Sequence, residues 1–369
     1  MNKKYDIAAY IWPAYTGDEP RTRIFWQEGI GEWQTVKNSQ KKDNGYFWNR
    51  KPVWGYVNEA DPYVMSMQID AAADHGVNVF IYDWYWYENA PFLEQCLNNG
   101  YLRAANNDRV KFYLMWANHD VNYTWDIRNS DKNGAVIWNG KVDERQWKVI
   151  CRRWIDKYFT QPSYYKIDNK PVISIYDLNN FISSFDSVES ACRGVEWLKN
   201  EAVKAGLGGV HLQFIKCWGD EPMNLSGVDT NASVIPTSVV KDLGCDSITH
   251  YQFVHFTNVN RKYENIIPDV ISEYEKMSNF GITYFPHVSI GWDNNPRFKK
   301  FCPNITSENP PEQFEKMLHH AKAYVDRYND VPLITVNSWN EWTESSYLEP
   351  DDVYGYGYLK AVKRVFCDR

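Results

Sequence analysis

Short, almost uninterrupted apolar runs recur along the chain, separated by stretches with amphipathic helical spacing. The runs at Asp6–Ile11, Val77–Tyr82, Lys111–Trp116, Pro171–Tyr176, Val210–Phe214, Ser247–Tyr251, Tyr284–Ser289 and Leu333–Asn337 predict eight strands. Strands that lack polar alternation are buried on both faces, as in a parallel sheet covered by helices. Asp61-Pro62 starts a helix with proline at its first position, and Met65, Ile69 and Ala72 form its stripe. Trp147, Ile150, Trp154 and Tyr158 repeat that rhythm, as do Ala191, Val195, Leu198 and Ala202 behind a Ser187 cap. Further helices are predicted over Tyr263–Met277, broken locally by Pro268, then from Asn309-Pro310 through Val325, and over Tyr358–Val365.

Strands alternating with helices, with no glycine- or serine-rich linker, predict an α/β fold, a (β/α)8 barrel forming one domain over residues 1–369. A doubly wound open sheet is the alternative. The glycine-rich phosphate turn expected after its first strand is missing, and Trp12-Pro13-Ala14-Tyr15 stands there instead. Residues 12–60 are too long for a simple connection. With Trp12, Trp26, Trp33, Trp48 and Trp54 they predict an elaborated loop over the barrel mouth.

Composition changes this picture in one respect. Aromatics reach 16%, with Trp 17, Tyr 26 and Phe 17. The formal charge of −7 argues against nucleic acid or a lipid surface as partner. No apolar stretch approaches the roughly 20 residues that cross a bilayer. Seven scattered cysteines without a C-x-x-C pair predict reduced thiols rather than a zinc site or disulfide framework. The start at Met1 shows no hydrophobic signal region, as expected of a cytoplasmic chain or one whose signal has been removed. Oligomeric state leaves no mark in the sequence.

In a barrel, chemistry gathers where strands end and loops begin. Those positions hold Trp12, Asp83-Trp84-Tyr85-Trp86, Trp116 with Asn118, His250-Tyr251, His287, and Gly291–Arg297 with Trp292, Asp293 and Arg297. The last strand delivers Asn340-Glu341-Trp342-Thr343-Glu344 and then Tyr347. Ring planes mixed with carboxylates and amides suit a sugar, whose C–H face packs on aromatics while its hydroxyls take hydrogen bonds. Asp293 and Arg297 could equally pair with each other, and His250 and His287 could equally be structural. Glu349, before Pro350, could shape the loop or be solvated. Two carboxyls three residues apart, buried among Trp339, Trp342 and Tyr347, would supply the acid and the base or nucleophile of glycoside hydrolysis. No metal or cofactor is expected. Spacing alone leaves open which glutamate takes which role.

The run Asn337–Pro350, N-S-W-N-E-W-T-E-S-S-Y-L-E-P, resembles the C-terminal signature of the WbsX or glycoside-hydrolase-99-like family. Ala9–Pro13, Gly29–Trp33, Tyr82–Trp86, Trp116–Asn118 with Trp125-Asp126, and Gly291–Phe298 resemble its other motifs. The chain departs from them at Asp83, where histidine is usual, and at His119, where glutamate is. The family was named for glycosyltransferases of surface-polysaccharide clusters and is related to endo-α-mannosidases. The resemblance implies a (β/α)8 fold and a retaining glycosidase for an α-linked sugar. By position it makes Glu341 the base toward the sugar's 2-hydroxyl and Glu344 the general acid/base. A sugar transferase and a non-catalytic carbohydrate-binding barrel are the alternatives. The first would usually carry an Asp-x-Asp triplet, which the chain lacks, and the second has no need of both glutamates.

Overall fold

The computed structural model describes residues 4–132, 134–218 and 234–367. Eight parallel strand positions close into a barrel: β1 Asp6–Ile11, β2 Val79–Tyr87, β3 Lys111–Trp116, β4 Lys170–Ile175, β5 His211–Ile215, β6 Ser247–Thr249, β7 in two pieces, and β8 Leu333–Asn337. The pieces of β7, Thr283–Tyr284 and His287–Ser289, pair with β6 and β8 respectively. Pro286 interrupts the strand because it has no N–H to give the ladder. The barrel still closes there, since Phe285 N–H reaches the Ile248 carbonyl at 2.9 Å and the Pro286 carbonyl accepts from Thr335 N–H at 3.0 Å. The strands lie within a few residues of the predicted runs, and the barrel is the fold the alternating pattern predicts.

The outer layer is α1 Pro62–Asp74, α2 Glu144–Trp154, α3 Leu178–Ser183, α4 Val188–Lys204, α5 Thr237–Asp242, α6 Tyr263–Ser278, α7 Pro311–Tyr328 and α8 Gly357–Phe366. Asp61 and Ser187 cap α1 and α4 through their side chains, as their positions predict. Pro268 does not break α6, which runs through it as one helix. Between β2 and β3 a regular α-helix is replaced by a wide π-helical turn over Cys96–Gly100 and a tight 3-10 turn over Tyr101–Arg103.

β2 runs five residues past its predicted end at Tyr82. Beyond the barrel rim it turns back at Glu88 and Asn89, both at positive φ, and pairs antiparallel with Ala90–Phe92. A two-residue turn with both central residues left-handed matches the twist of a hairpin. Along this strand the faces alternate. Trp84 and Trp86 stack outward near Trp154 of α2, whereas Tyr85 meets Trp12, His119 and Trp125 at the mouth. Trp116 of β3 likewise faces outward, onto Trp147, Trp154 and Phe181. The barrel interior is partly polar, with Tyr113 hydroxyl on Gln213 at 3.2 Å and Thr249 against Thr335 at 2.8 Å.

The long first loop packs over the mouth as predicted. Trp26 lies against Trp12, Trp33 against Tyr15 and Trp342, and Trp48 donates to the Ser345 hydroxyl at 2.6 Å. Gly31 is the tightest point, at φ +60°, where a Cβ would fall 1.8 Å from the Ala14 carbonyl oxygen. Trp154 joins the sheet to α2 through Trp84, Trp116 and Trp147 and is fully buried. Trp154→Ala should therefore lower unfolding free energy by about 3–5 kcal/mol, read as a shifted urea midpoint at unchanged slope.

Candidate active site

After β8 the chain forms a small hairpin, Asn340–Glu341 against Ser346–Tyr347, with one 3-10 turn, Trp342–Glu344, between its arms. Three residues make one turn of such a helix, so side chains three apart lie above one another. Glu341 and Glu344 are therefore brought to one side. Ser345 closes the turn in the left-handed conformation at φ +55°.

Arg297 joins the two acids. Its Nη2 donates to Glu341 Oε1 and its Nη1 to Glu344 Oε1, both at 2.7 Å. Its Nε and Nη2 also donate to Glu32, at 2.8 and 3.1 Å. The guanidinium thus serves three carboxylates rather than pairing with Asp293. Asp293 instead accepts from the Tyr46 hydroxyl and from Asn295. Glu32 also takes Trp12 Nε1 at 2.5 Å and the Thr343 hydroxyl at 3.0 Å. Glu344 is the outer member of the pair, with 14% of its side chain exposed against 3% for Glu341.

The opposite wall is aromatic and acidic. Tyr251 hydroxyl donates to Asp83 Oδ2 at 3.0 Å and lies 3.4 Å from Glu341 Oε2. Tyr10 and Tyr176 pack on the Tyr251 ring, and His119 sits among Tyr85, Trp125 and Tyr176. Burial pushes the Glu341 carboxyl well above the usual carboxylate range, and the charge of Glu344 adds to this against the pull of Arg297. Burial raises Glu344 too, again opposed by Arg297. Asp83 is raised well above its ordinary value by burial, despite the Tyr251 hydrogen bond. Burial pushes the imidazole of His119 down. Like charges this close and this dry favour retention of a proton in the group, the condition for general acid–base work.

The predicted site residues divide in two. Glu341, Glu344, Arg297, Trp12, Tyr85 and Tyr251 converge here. Asn340 and Trp342 stand behind them. Asn340 clasps the backbone of Trp12, accepting from its N–H at 2.8 Å and donating to its carbonyl at 2.9 Å. Trp342 stacks on Tyr347 at 3.9 Å and turns its Nε1 to Glu349, while Trp339 donates to Gln68. These indoles therefore do not wall the acids as expected. Trp84 and Trp116 are not brought to the carboxyls either, since both face the helix layer. Asn118 is spent on the backbone of Asp177, with 2.7 Å bonds in both directions. His250 meets the Tyr284 hydroxyl at 3.0 Å and the edge of Glu273 on α6, and His287 lies inside the barrel between Thr335 and Ser289. Trp292 is buried in the loop after β7, where its carbonyl accepts from Thr306 N–H. Asp293 and Tyr347 line a different cleft, of about 350 Å³, with Tyr46, Trp48 and Ser345. Glu32 is a residue of the candidate site that strand ends did not flag, and its one signal was the Gly29–Trp33 motif.

A second buried acid pair supports the first. Glu349, fully buried rather than solvated, takes Trp342 Nε1 at 2.6 Å and Gln68 Nε2 at 2.8 Å. Gln68 and Asn340 also donate to Glu59, which hydrogen-bonds Glu349. Burial raises Glu59 from 4.5 to about 7 and Glu349 well above its ordinary value. The folded state thus binds a proton more tightly than the unfolded chain. The stability this group contributes is complete below pH 4.5 and is lost as pH rises through about 7. The thermal midpoint should fall between pH 5 and 8 by the equivalent of about 2–3 kcal/mol. Glu59→Gln should flatten that slope in calorimetry, whatever it does to absolute stability.

Comparison with known proteins agrees with this architecture. The family described as Glycosyltransferase WbsX matches residues 7–362. WxcX of Xanthomonas campestris pv. campestris, described as uncharacterized, is 24% identical over 353 residues, covering 94% of this chain and 47% of its own length. The chain thus spans about half the length of the curated relatives it matches. The GH99 endo-α-mannosidase of Bacteroides thetaiotaomicron superposes with a TM-score of 0.60 at 14% identity, over 97% of this chain and 96% of that one. A glycoside hydrolase-like protein does so with a TM-score of 0.59 at 15% identity, over 99% and 94%. Over nearly its whole length, then, the chain belongs to the WbsX family.

Proposed function

We propose that the protein is a retaining glycoside hydrolase acting on an α-linked sugar of a polysaccharide or oligosaccharide. The observation that carries this reading is the pair Glu341 and Glu344, one 3-10 turn apart after β8, sharing the buried Arg297. The carbohydrate-active fold of the endo-α-mannosidase neighbour supports it. Exposure fits the division of labour. Glu344, the outer acid, protonates the departing glycosidic oxygen, and its conjugate base later activates water. Glu341, the inner one, takes the proton of the sugar's 2-hydroxyl as that oxygen closes on the anomeric carbon to give a 1,2-anhydro sugar. Arg297 holds both carboxyls in place and offsets the charge left when either ionises. Trp12, Tyr85 and Tyr251 supply ring faces and a hydroxyl to the bound sugar.

The family's transferase description favours a second reading, in which a sugar hydroxyl replaces water in the second half of the same reaction. Products from a panel of α-linked polysaccharides separate the two: free reducing ends of retained configuration by NMR mark hydrolysis, whereas lengthened chains mark transfer.

Glu344→Gln should lower turnover about 10²–10⁴-fold with binding preserved, and Glu341→Gln should do likewise. Unchanged turnover in either variant would sink the assignment. Because both carboxyls are raised, kcat/KM should reach its plateau only above the ordinary carboxylate range. It should fall again as the shared proton is lost at higher pH.

A further inference from the structure

We propose that Asp83 is a third acid that contacts the substrate, and that it selects a sugar presenting a neutral hydroxyl at this point over one presenting a carboxylate. This rests on the glycosidase reading for the class of ligand, a glycosyl unit.

Asp83 sits where β2 leaves the barrel, on the inward face that also carries Tyr85. It is 4% exposed. Its Oδ2 is satisfied by the Tyr251 hydroxyl, the same hydroxyl that lies 3.4 Å from Glu341. Its Oδ1 is buried and has no hydrogen-bond partner among the described residues. Buried polar atoms are almost always satisfied, so an unpartnered oxygen one hydroxyl away from Glu341 is a candidate contact for a ligand group. A sugar hydroxyl fits it, since it can donate to a carboxylate or accept from a carboxylic acid.

Charge decides against an anion. Of the four carboxyls Glu32, Asp83, Glu341 and Glu344, three share one guanidinium: the side-chain hydrogen bonds of Arg297 among the described residues all go to Glu32, Glu341 and Glu344, and its remaining contact is with the Trp12 ring. A carboxylate on the sugar facing Asp83 would add like charge to a dry site whose cation is already committed. A hydroxyl adds none.

The test is binding by calorimetry to the full chain. The neutral probes are methyl α-D-mannoside, methyl α-D-glucoside and methyl α-D-galactoside, and the anionic probe is methyl α-D-glucuronide. We expect a neutral glycoside to bind the wild type and the glucuronide to bind at least tenfold more weakly. Asp83→Leu, which keeps the branched outline and removes both oxygens, should weaken the neutral probe tenfold or more. Asp83→Asn, which can still hydrogen-bond, should remain within about threefold. Neutral binding unchanged in a folded Asp83→Leu protein overturns the proposal, as do equal affinities for glucoside and glucuronide or no binding by any probe. If Asp83→Leu does not fold, the wild type still decides. The carboxyl ¹³C resonance assigned to Asp83 by its loss in Asp83→Asn should move on adding the bound glycoside, and a stationary resonance overturns the idea. Absence of hydrolysis with this binding pattern intact would fail only the enzymatic reading, whereas hydrolysis indifferent to Asp83 would fail only this one.

Discussion

A guanidinium with almost no contact with water sits at the centre of this molecule's mouth and holds three carboxylates from two other parts of the chain. Arg297 comes from the loop after β7, Glu341 and Glu344 from the turn after β8, and Glu32 from the first loop. Removing one partner from such a cluster leaves an uncompensated charge in a dry place, which costs far more than the intact cluster returns in stability. The arrangement is therefore better understood as a device for position. Side chains separated by up to 312 positions in sequence, Glu32 and Glu344, are fixed within hydrogen-bond reach of one guanidinium. The aromatic lid, the hairpin after β8 and the turn of Glu344 are all organised around that point.

Behind this cluster lies a second acid-rich layer whose hydrogen bonds, among the described residues, include no cation. Glu59 and Glu349 are reconciled by a proton and by the amides of Gln68 and Asn340. The two layers touch through Asn340, which is adjacent to Glu341 and clasps the backbone of Trp12. The site thus has a front ordered by a guanidinium and a back ordered by side-chain amides.

Much of the fold was legible because strands buried on both faces must be apolar throughout, and that signature survives in sequence. The exceptions have local causes. β2 read as ending at Tyr82 because Asp83 looks like an exit from the sheet, yet its partner Tyr251 lies across the barrel and lets an acid remain inside a strand. The parity of the same strand also explains the misplaced tryptophans. If Asp83 and Tyr85 face inward, period two obliges Trp84 to face the helices, and its indole indeed meets Glu94 and Trp154. The two glutamates after β8 were legible from spacing and setting together. Their cation was visible only as a residue in a loop, with Asp293 as the nearer partner in sequence. Glu349 was left between shaping the loop and being solvated, and Glu32 stood only inside a motif, for one reason: what buries them lies far away along the chain, Gln68 for the first and Arg297 for the second.

The contact at Gly31 has a consequence for how far this lid can vary. The Glu32 N–H rests on the Ala14 carbonyl at 2.9 Å, and no side chain fits at residue 31. The stretch 37–45, most of whose side chains meet water, can be recomposed at little structural penalty. At this one peptide there is no slack: even a methyl group would lever the neighbouring glutamate off its cation. The part of the lid most tolerant of change and the part least tolerant are thus only a few residues apart.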